Sequence, residues 1–422
     1  MLSVTDVIVD STRLGAATTP ADPRWSRIRS PWMLGLAIGS LMFFSTIGSA
    51  SDVSTPAASG WPMPRGDSES TGATKMDVPD DLQVRWEFKA DEAIEVTPVV
   101  AGGRVFFGDV MGKMYAIDQA TGKEIWSHNY DTGFIASPAV HQTGSADPNG
   151  KGDVVVVGDI DGNLYAIDAA TGKERWTQTT EGEINGSAAF HDGHVLVTSQ
   201  DGKLYCFELA DGKPVWTYTT DDQIRCSPTI AGDLTFLGGC DGRLHMVDLK
   251  TGKAAREPLP LDGPTGSTPA VRGSKAFLPI MDGAVFAFDW KSAKQLWRYE
   301  DDDFPQEYRS SAAVGDQLVI LSSQRKQIDA VSIETGKRVW RHTLRRRADA
   351  SPVIAGDDVF IAATDGRLVR LSLADGTDEK WSYEIRGSFL AAPAIADHML
   401  FIADEDGVVR CFAGKTEAAT AK

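Results

Sequence analysis

The residue types that most often carry out chemistry are few and scattered in this sequence. Its four cysteines include no adjacent pair and no C-x-x-C motif, and its seven histidines show neither zinc-ligand spacing nor an H-E-x-x-H motif. Two acidic turns, Gly158–Asn163 and Asp404–Gly407, lack the terminal glutamate of a twelve-residue calcium loop and are interpreted as hairpin turns. We therefore predict no metal site and name no catalytic residue.

Two of the cysteines are placed where they could form a bond. Cys226 and Cys240 flank a predicted hairpin, each seven residues from Asp233 at its tip, so antiparallel pairing could bring them opposite one another. An oxidising compartment would permit a disulfide, and two small buried thiols are the alternative. Both interpretations stay open at this point.

Two loops of opposite charge form the candidate binding surface. The acidic loop Glu300–Tyr308 reads EDDDFPQEY, and the basic segment Arg341–Arg347 reads RHTLRRR. Either they neutralise each other, which contributes little at a surface, or they make a bipolar recognition patch with aromatic anchors. The candidate partner-binding residues are Asp301, Asp302, Asp303, Phe304, Tyr308, Arg345, Arg346 and Arg347.

The net charge indicates a class of partner that the protein is not expected to bind, and the N-terminal sequence indicates its compartment. Acidic residues outnumber basic ones by 59 to 42, a net charge of −17 that argues against nucleic acid as a partner. Within residues 1–50, arginines precede the apolar run Trp32–Gly48, and small residues up to Ala50 follow. This order predicts an exported, periplasmic or envelope protein, with a signal peptide cleaved after Ala50 or an uncleaved N-terminal anchor. No cysteine follows the apolar run, so a lipoprotein is not expected.

The elements that must position these loops are revealed by a repeat of about 41 residues. The spacings between successive repeat tryptophans are 40, 50, 40, 81, 43 and 41 residues, and Arg256 stands where the 81-residue interval lacks one. Glycines of D-G and T-G-K turns recur at fixed offsets between short alternating, β-branched segments, a pattern typical of hairpins. The repeat tryptophans are Trp86, Trp126, Trp176, Trp216, Trp297, Trp340 and Trp381.

Eight such copies predict an all-β, eight-bladed β-propeller with four-stranded antiparallel blades. The eighth copy lacks its tryptophan strand, whereas an unpaired strand, Leu82–Phe88, precedes the first copy at the correct offset. We therefore expect the N-terminal strand to close the ring, with the propeller over 82–413. Residues 51–81 are predicted to be a flexible linker and residues 414–422 a disordered tail.

The repeat motif resembles a known family. The stretches Ala116–Trp126 (AIDQATGKEIW), Ala166–Trp176 (AIDAATGKERW) and Cys206–Trp216 (CFELADGKPVW) look like the tryptophan-docking repeat of quinoprotein-like β-propellers. That family contains pyrroloquinoline-quinone (PQQ) dehydrogenases and BamB, the propeller subunit of the outer-membrane β-barrel assembly machinery. Trp61–Gly72 (WPMPRGDSESTG) also resembles the W-P-x-x-R-G stretch that often precedes such propellers.

The resemblance implies a structural role for the seven tryptophans and leaves several functions open. A BamB-like, monomeric, non-enzymatic scaffold that binds an envelope protein, such as an outer-membrane assembly component, is the function we expect. A PQQ-dependent dehydrogenase is the first alternative, but the adjacent disulfide of those enzymes is absent and their calcium ligands cannot be mapped onto this sequence. PQQ with calcium is therefore not expected. A glycan or small-molecule binder that uses the propeller funnel is the second alternative.

Overall fold

The computed structural model describes residues 60–143, 152–301, 304–377 and 379–415. These residues form eight β-sheets of four antiparallel strands each, one of which gains a short fifth strand. The sheets follow one another along the chain as the blades of a propeller, and blade 1 begins with the strand Val99–Ala101. The prediction of an eight-bladed all-β propeller is confirmed.

The strands are numbered here in chain order and grouped by their position in each blade. The innermost strands of blades 1 to 8 are β3 (Val99–Ala101), β7 (Ala139–His141), β11 (Ala189–His191), β15 (Thr229–Ala231), β19 (Ala270–Arg272), β23 (Ala313–Val314), β27 (Val353–Ala355) and β31 (Ala394–Ala396). The second strands are β4 (Arg104–Gly108), β8 (Val154–Gly158), β12 (His194–Ser199), β16 (Leu234–Gly238), β20 (Lys275–Pro279), β24 (Leu318–Ser322), β28 (Asp358–Ala362) and β32 (Met399–Ala403). The third strands are β5 (Lys113–Asp118), β9 (Asn163–Asp168), β13 (Lys203–Glu208), β17 (Arg243–Asp248), β21 (Val285–Asp289), β25 (Gln327–Ser332), β29 (Arg367–Ser372) and β33 (Val408–Ala413). The outermost strands are β6 (Glu124–Asn129), β10 (Glu174–Thr179), β14 (Pro214–Thr219), β18 (Leu259–Pro260), β22 (Lys294–Tyr299), β26 (Arg338–Thr343), β30 (Glu379–Glu384) and β2 (Gln83–Lys89). The remaining strand, β1 (Ala73–Thr74), pairs parallel to β27.

This up-and-down order gives the propeller two different faces. The loop face carries the connections between blades and the turns between second and third strands. The turn face carries the turns from first to second strands and those from third to fourth strands. In the third-to-fourth turn of blade 1, Asp118 accepts hydrogen bonds from the backbone N–H and hydroxyl of Thr121, and Gly122 adopts a φ of +70°. The same carboxylate-to-threonine contact recurs in blades 2 and 4, so these three turns share one local structure.

The ring is closed by the strand that precedes blade 1. β2 pairs with β33 from Gln83 opposite Ala413 to Lys89 opposite Val408, and so supplies the outermost strand of blade 8. This pairing covers the edge of a sheet that would otherwise be exposed. Closure by the N-terminal strand is therefore confirmed.

Tryptophans join each blade to the next. The Trp126 ring lies against Gly172 of the following blade, where an added Cβ would come within 2.7 Å of the indole. The Trp126 Nε1–H donates to the Ala169 carbonyl at 3.1 Å. The other six repeat tryptophans donate to carbonyl oxygens in the same way: Trp86 to Gln119, Trp176 to Leu209, Trp216 to Leu249, Trp297 to Ile333, Trp340 to Leu373 and Trp381 to Leu82. The indole supplies both a large apolar contact and a satisfied polar group at each of these blade boundaries.

Blade 4 lacks this tryptophan and has a weaker outer edge. Arg256 takes its place in the sequence, and its guanidinium donates to the Lys291 carbonyl of blade 5 at 3.1 Å. The outermost strand β18 has only two residues, Leu259–Pro260, the shortest outer strand among the eight blades. A planar cation thus replaces the indole as the link between blades 4 and 5.

The segment before β2 is ordered from residue 60 onward, so the prediction of a flexible linker is wrong for residues 60–81. We call residues 60–78 the strap. It crosses the innermost strands one blade after another: Trp61 pairs with Val100 of blade 1, and the Val140 N–H of blade 2 donates to Pro62. Further bonds run from backbone N–H groups to strap carbonyls: Ile230 to Ser68, Val271 to Glu69, Val314 to Thr71, Ile354 to Gly72 and Gly356 to Thr74.

The strap is ordered because the innermost strands are sheet edges whose free backbone N–H groups can donate to the carbonyls of an extended segment. Burial supports the same conclusion, because Trp61 is only 2% exposed. At the other terminus, the Lys415 N–H donates to the Asp81 carboxylate at 3.3 Å. Residues 51–59 and 416–422 lie outside the described residues, so those parts of the linker and tail predictions stay untested.

The leader also lies outside the described residues. The predicted signal peptide or anchor, residues 1–50, is therefore not tested by the structure. None of the residues that the structure describes forms a helix that is long and apolar enough to cross a membrane.

Candidate functional site

The acidic loop lies between blades 5 and 6 on the loop face, and its first part is an internal ion-pair network. The Asp301 carboxylate accepts a bond from Arg338 at 2.9 Å and pairs with Arg341, both on β26. Arg341 also donates to Asp329, which accepts a bond from the Tyr299 hydroxyl at 2.9 Å. Burial alone would raise the pKa of Asp301, but the hydrogen bond from Arg341 lowers it below its ordinary value.

These contacts correct two of the candidate partner-binding residues. Asp301 is buried and neutralised by blade 6, so it is not a free contact for a partner. Tyr308 is 1% exposed, packs in the core between blades 5 and 6, and therefore cannot anchor a partner. Burial raises the pKa of the Tyr308 phenol well above its ordinary value. The mutual neutralisation that the sequence left open thus applies to this first part of the loop, while Asp302 and Asp303 lie outside the described residues.

The remaining candidates are on the surface. Phe304 is 68% exposed, a large share for an aromatic side chain on a folded protein. Arg345, Arg346 and Arg347 lie in the loop between blades 6 and 7 and are exposed. Arg345 contacts Glu384 at 3.4 Å, and Arg347 contacts Asp349 at 3.0 Å, but both pairs are more than half exposed on the arginine side. Such pairs are weak, so this loop stays available to a partner.

The cysteine pair does not form a bond in this structure. All four cysteines are free thiols, so the structure favours two thiols over a Cys226–Cys240 disulfide. The Cys226 thiol is buried and donates to the Gly238 carbonyl at 3.3 Å. Burial raises the pKa of Cys226 to about 12, which leaves it protonated and unreactive at neutral pH.

A funnel opens at the axis of the ring on the loop face. It encloses a cavity of about 200 Å³, and its wall comes from the residues that start the innermost strands of the blades. Its floor includes Pro64 and Arg65 of the strap. Sequence reasoning missed this floor, although the W-P-x-x-R-G stretch at Trp61–Gly66 was the signal that could have revealed it.

Carboxylates in the funnel wall are the groups that could hold a calcium ion beside a quinone. Two carboxylates line the funnel, Glu95 and Asp349, on the connections that lead into blades 1 and 7. Among the described residues there is no group of three or more His, Cys, Asp or Glu side chains arranged to hold a metal ion. No chemistry through a quinone is derived from this site.

Comparison with known proteins places the chain in a family. A family model described as outer membrane protein assembly factor BamB matches residues 79–183, 139–258 and 256–419, which together span most of the chain. A search of the curated proteins finds no match.

Several solved structures share the fold. BamB from Moraxella catarrhalis is 19% identical, with a TM-score of 0.68 over 79% of this chain and 99% of that chain. The quinohemoprotein alcohol dehydrogenase from Comamonas testosteroni is 17% identical, with a TM-score of 0.70 over 87% of this chain and 83% of that one. The computationally designed protein Ika8 is 15% identical, with a TM-score of 0.66 over 77% and 97% of the two chains. At these identities the likenesses show the fold alone.

Proposed function

Since this chain belongs to the family described as outer membrane protein assembly factor BamB, we propose that it is an exported, non-enzymatic scaffold that binds a protein of the cell envelope. The leader sequence supports export, and the family description supports a partner among outer-membrane assembly components. We propose docking on the loop face through Phe304 and the basic loop Arg345–Arg347.

The difference between the two faces carries the proposal. On the turn face, the third-to-fourth turns of blades 1, 2 and 4 repeat one aspartate-to-threonine contact, and repeated turns offer a partner few features that fix its orientation. The loop face instead presents an exposed aromatic side chain and three exposed arginines on neighbouring loops. A buried aromatic anchor with a charged surround is the usual composition of an interface that contributes binding energy. The arginines add electrostatic steering toward an acidic partner surface.

Charge reversal at the basic loop tests the proposal. The variant carries Arg345→Glu, Arg346→Glu and Arg347→Glu, and the fold should persist because the ion pairs that it breaks are solvent-exposed. We expect recovery of an outer-membrane assembly component from native envelopes by the tagged wild-type chain, and at least a tenfold lower yield with the variant. The yield of the wild-type complex should also fall as salt rises.

The matched control makes the same charge change on the turn face. Lys123→Glu, Lys173→Glu and Lys213→Glu alter three exposed lysines in the third-to-fourth turns of blades 1 to 3. This control should recover the partner at the wild-type yield. Equal yields from wild type, variant and control would show that the basic loop is not the docking site.

We also propose that the chain does not use PQQ. The funnel lining supports this, since Glu95 and Asp349 are the two carboxylates among the described residues that form it, and the strap forms its floor. The purified protein, incubated with PQQ and calcium, should lose the quinone chromophore on gel filtration and should not reduce a dye with alcohols or sugars. Retained chromophore together with substrate-dependent dye reduction would favour a dehydrogenase instead.

A further inference from the structure

The floor of the funnel holds a buried cation whose N–H donors are only partly satisfied. The Arg65 side chain is 6% exposed and lines the cavity. Two of its five N–H groups donate to backbone carbonyls, one to Pro352 at 3.1 Å and one to Ala312 at 2.8 Å. The Nε is buried without a hydrogen-bond partner, and no ion pair joins Arg65 to any carboxylate among the described residues. A guanidinium has no acceptor atoms, so only acceptors can satisfy the rest of this group.

A buried charge in this state is costly. Removing an ion from water costs several kcal/mol unless an opposite charge and further hydrogen bonds compensate for it. Asp67 of the strap attracts the Arg65 charge, but its carboxylate accepts its hydrogen bonds from the hydroxyl and the backbone N–H of Thr71. Burial lowers the pKa of Arg65 to about 10, so the guanidinium still carries its charge at neutral pH. An anion in the cavity would add the direct ion pair that Asp67 does not form with Arg65.

Hydroxyl groups surround the same cavity as a ring. At the start of the inner strands of six blades, a hydroxyl accepts the backbone N–H of the preceding blade. The Thr97 N–H, for example, donates to Ser137, and the Ala392 N–H of blade 8 donates to Thr97. Further bonds of this kind run from Ser187 to Ser227, Ser227 to Thr268, Thr268 to Ser311 and Ser311 to Ser351.

This ring leaves a set of unused donors. A serine or threonine oxygen that accepts an N–H keeps its own O–H proton. Within the described residues, none of the six accepting hydroxyls donates that proton to another protein group. All six belong to residues that line the cavity: Thr97, Ser137, Ser227, Thr268, Ser311 and Ser351. Several O–H donors and one guanidinium therefore surround a single small space.

We propose that this axial cavity binds a small oxyanion, held by the Arg65 guanidinium and the ring of hydroxyls. Charge-assisted hydrogen bonds to an anion are roughly twice as strong as neutral ones, and both donor types are present here. The volume of about 200 Å³ is below the roughly 300–1,000 Å³ that is usual for drug-sized ligands. The ligand class is thus an inorganic oxyanion such as phosphate or sulfate, or a short carboxylate.

The rim of the funnel explains why a small anion is favoured over a large one. Arg225 and Arg309 line it on the side of blades 4 and 6, whereas Glu95 and Asp349 line it at blades 1 and 7. Charges of both signs at the mouth give no net attraction to an extended polyanion. The Arg65 guanidinium, which forms no direct ion pair among the described residues, is at the floor, where only a compact group can reach it.

The competing explanation is that Arg65 only fastens the strap to blades 6 and 7 through the two carbonyl bonds. Binding measurements distinguish the two roles. The dialysed chain is titrated calorimetrically with sodium phosphate, sodium sulfate or sodium malonate, against sodium chloride of matched ionic strength. We expect saturable binding of one anion per chain for at least one of the three. No saturable heat from any of them, or the same heat from chloride, would overturn the proposal.

Three variants assign the binding to the site. Arg65→Gln should weaken the affinity at least tenfold, while Arg325→Gln, which removes an exposed arginine from a turn outside the cavity, should stay within twofold of wild type. The double variant Ser311→Ala with Ser351→Ala removes two ring hydroxyls and should weaken binding severalfold. It should fold, because Ala392 already occupies the same position in blade 8.

The double variant keeps the proposal testable if Arg65→Gln fails to fold, as judged by circular dichroism. Weaker binding by the folded double variant supports the site. Wild-type affinity in the double variant, or in a folded Arg65→Gln, shows that the anion binds elsewhere and overturns the proposal. Phosphate or sulfate binding without malonate binding assigns the site to inorganic oxyanions, and malonate binding assigns it to carboxylates.

Discussion

Replacement of Trp61 by alanine tests whether the strap is part of the fold. In the sequence, Trp61 stands in a stretch whose composition predicts a linker, where such a change would have no effect. In the structure, its side chain is 2% exposed and packs against Gly66, where an added Cβ would come within 2.9 Å of the indole. Its backbone exchanges two hydrogen bonds of 2.8 Å with Val100 of blade 1.

The size of the effect follows from this burial. Truncation of a buried tryptophan to alanine costs about 3–5 kcal/mol, through lost transfer free energy and the cavity that remains. The Trp61 Nε1–H bond to the Pro64 carbonyl, at 3.2 Å, is lost together with its donor, so no unsatisfied indole group is left behind. Because Trp61 lies near the start of the described strap, local relaxation can absorb part of the loss. We therefore expect Trp61→Ala to lower the free energy of unfolding by about 3 kcal/mol, the lower end of that range.

Urea unfolding followed by far-ultraviolet circular dichroism measures this change without depending on the removed fluorophore. The matched control is Phe304→Ala, which truncates an aromatic side chain that is 68% exposed and should change the free energy by no more than about 0.5 kcal/mol. Both variants should keep the wild-type slope in urea. If Trp61→Ala is as stable as the control, the strap does not stabilise the propeller and the reasoning is refuted.

Three further predictions concern single sites. Arg256→Trp restores the repeat tryptophan of blade 4 and should raise the free energy of unfolding by about 1 kcal/mol, measured in urea; a loss of stability would contradict the blade-docking role. Asp301→Asn should lower the melting temperature at pH 7. The folded state lowers the pKa of Asp301, so this carboxylate stabilises the protein at neutral pH and stops doing so once acid protonates it. The difference in melting temperature between wild type and variant should therefore shrink on acidification, and a difference that persists at pH 2 would exclude the ion pair with Arg341. A thiol reagent added to the native protein should label Cys240, which is only partly buried, before the buried Cys226. The denatured, unreduced protein should show four reactive thiols, and two or fewer reactive thiols would indicate a disulfide.

The propeller could be predicted because the residues that specify each blade lie close together in the sequence and recur from blade to blade. Each blade has its own turn glycine and most have the tryptophan, as at Gly172 and Trp176. The strap could not be predicted in this way. Most of its residues are small or polar, and its partners, such as Val100 and Ile354, lie on blades that are far apart in the sequence. A segment that crosses the repeats without repeating itself has no period of its own.

The candidate site was predicted only in part, for a related reason. Counting charges identified the loop at Asp301, but the partner that buries this carboxylate, Arg341, lies in the next blade. Tyr308 likewise is a residue type that often anchors a partner at a surface, but it lies in the core. Phe304 and the loop Arg345–Arg347 remain exposed, as the sequence hypothesis requires, since the described residues provide no strong partner for them.

Site-specific photo-crosslinking in intact envelopes tests the proposed scaffold function most directly. A photoreactive amino acid is placed at Phe304 on the loop face and, in a separate chain, at Lys213 on the turn face, both of which are exposed. We predict a crosslink from position 304 to an outer-membrane assembly component, none from position 213, and loss of the first when Arg345, Arg346 and Arg347 are reversed to Glu. A crosslink to that component from position 213 but not from position 304 would contradict docking on the loop face.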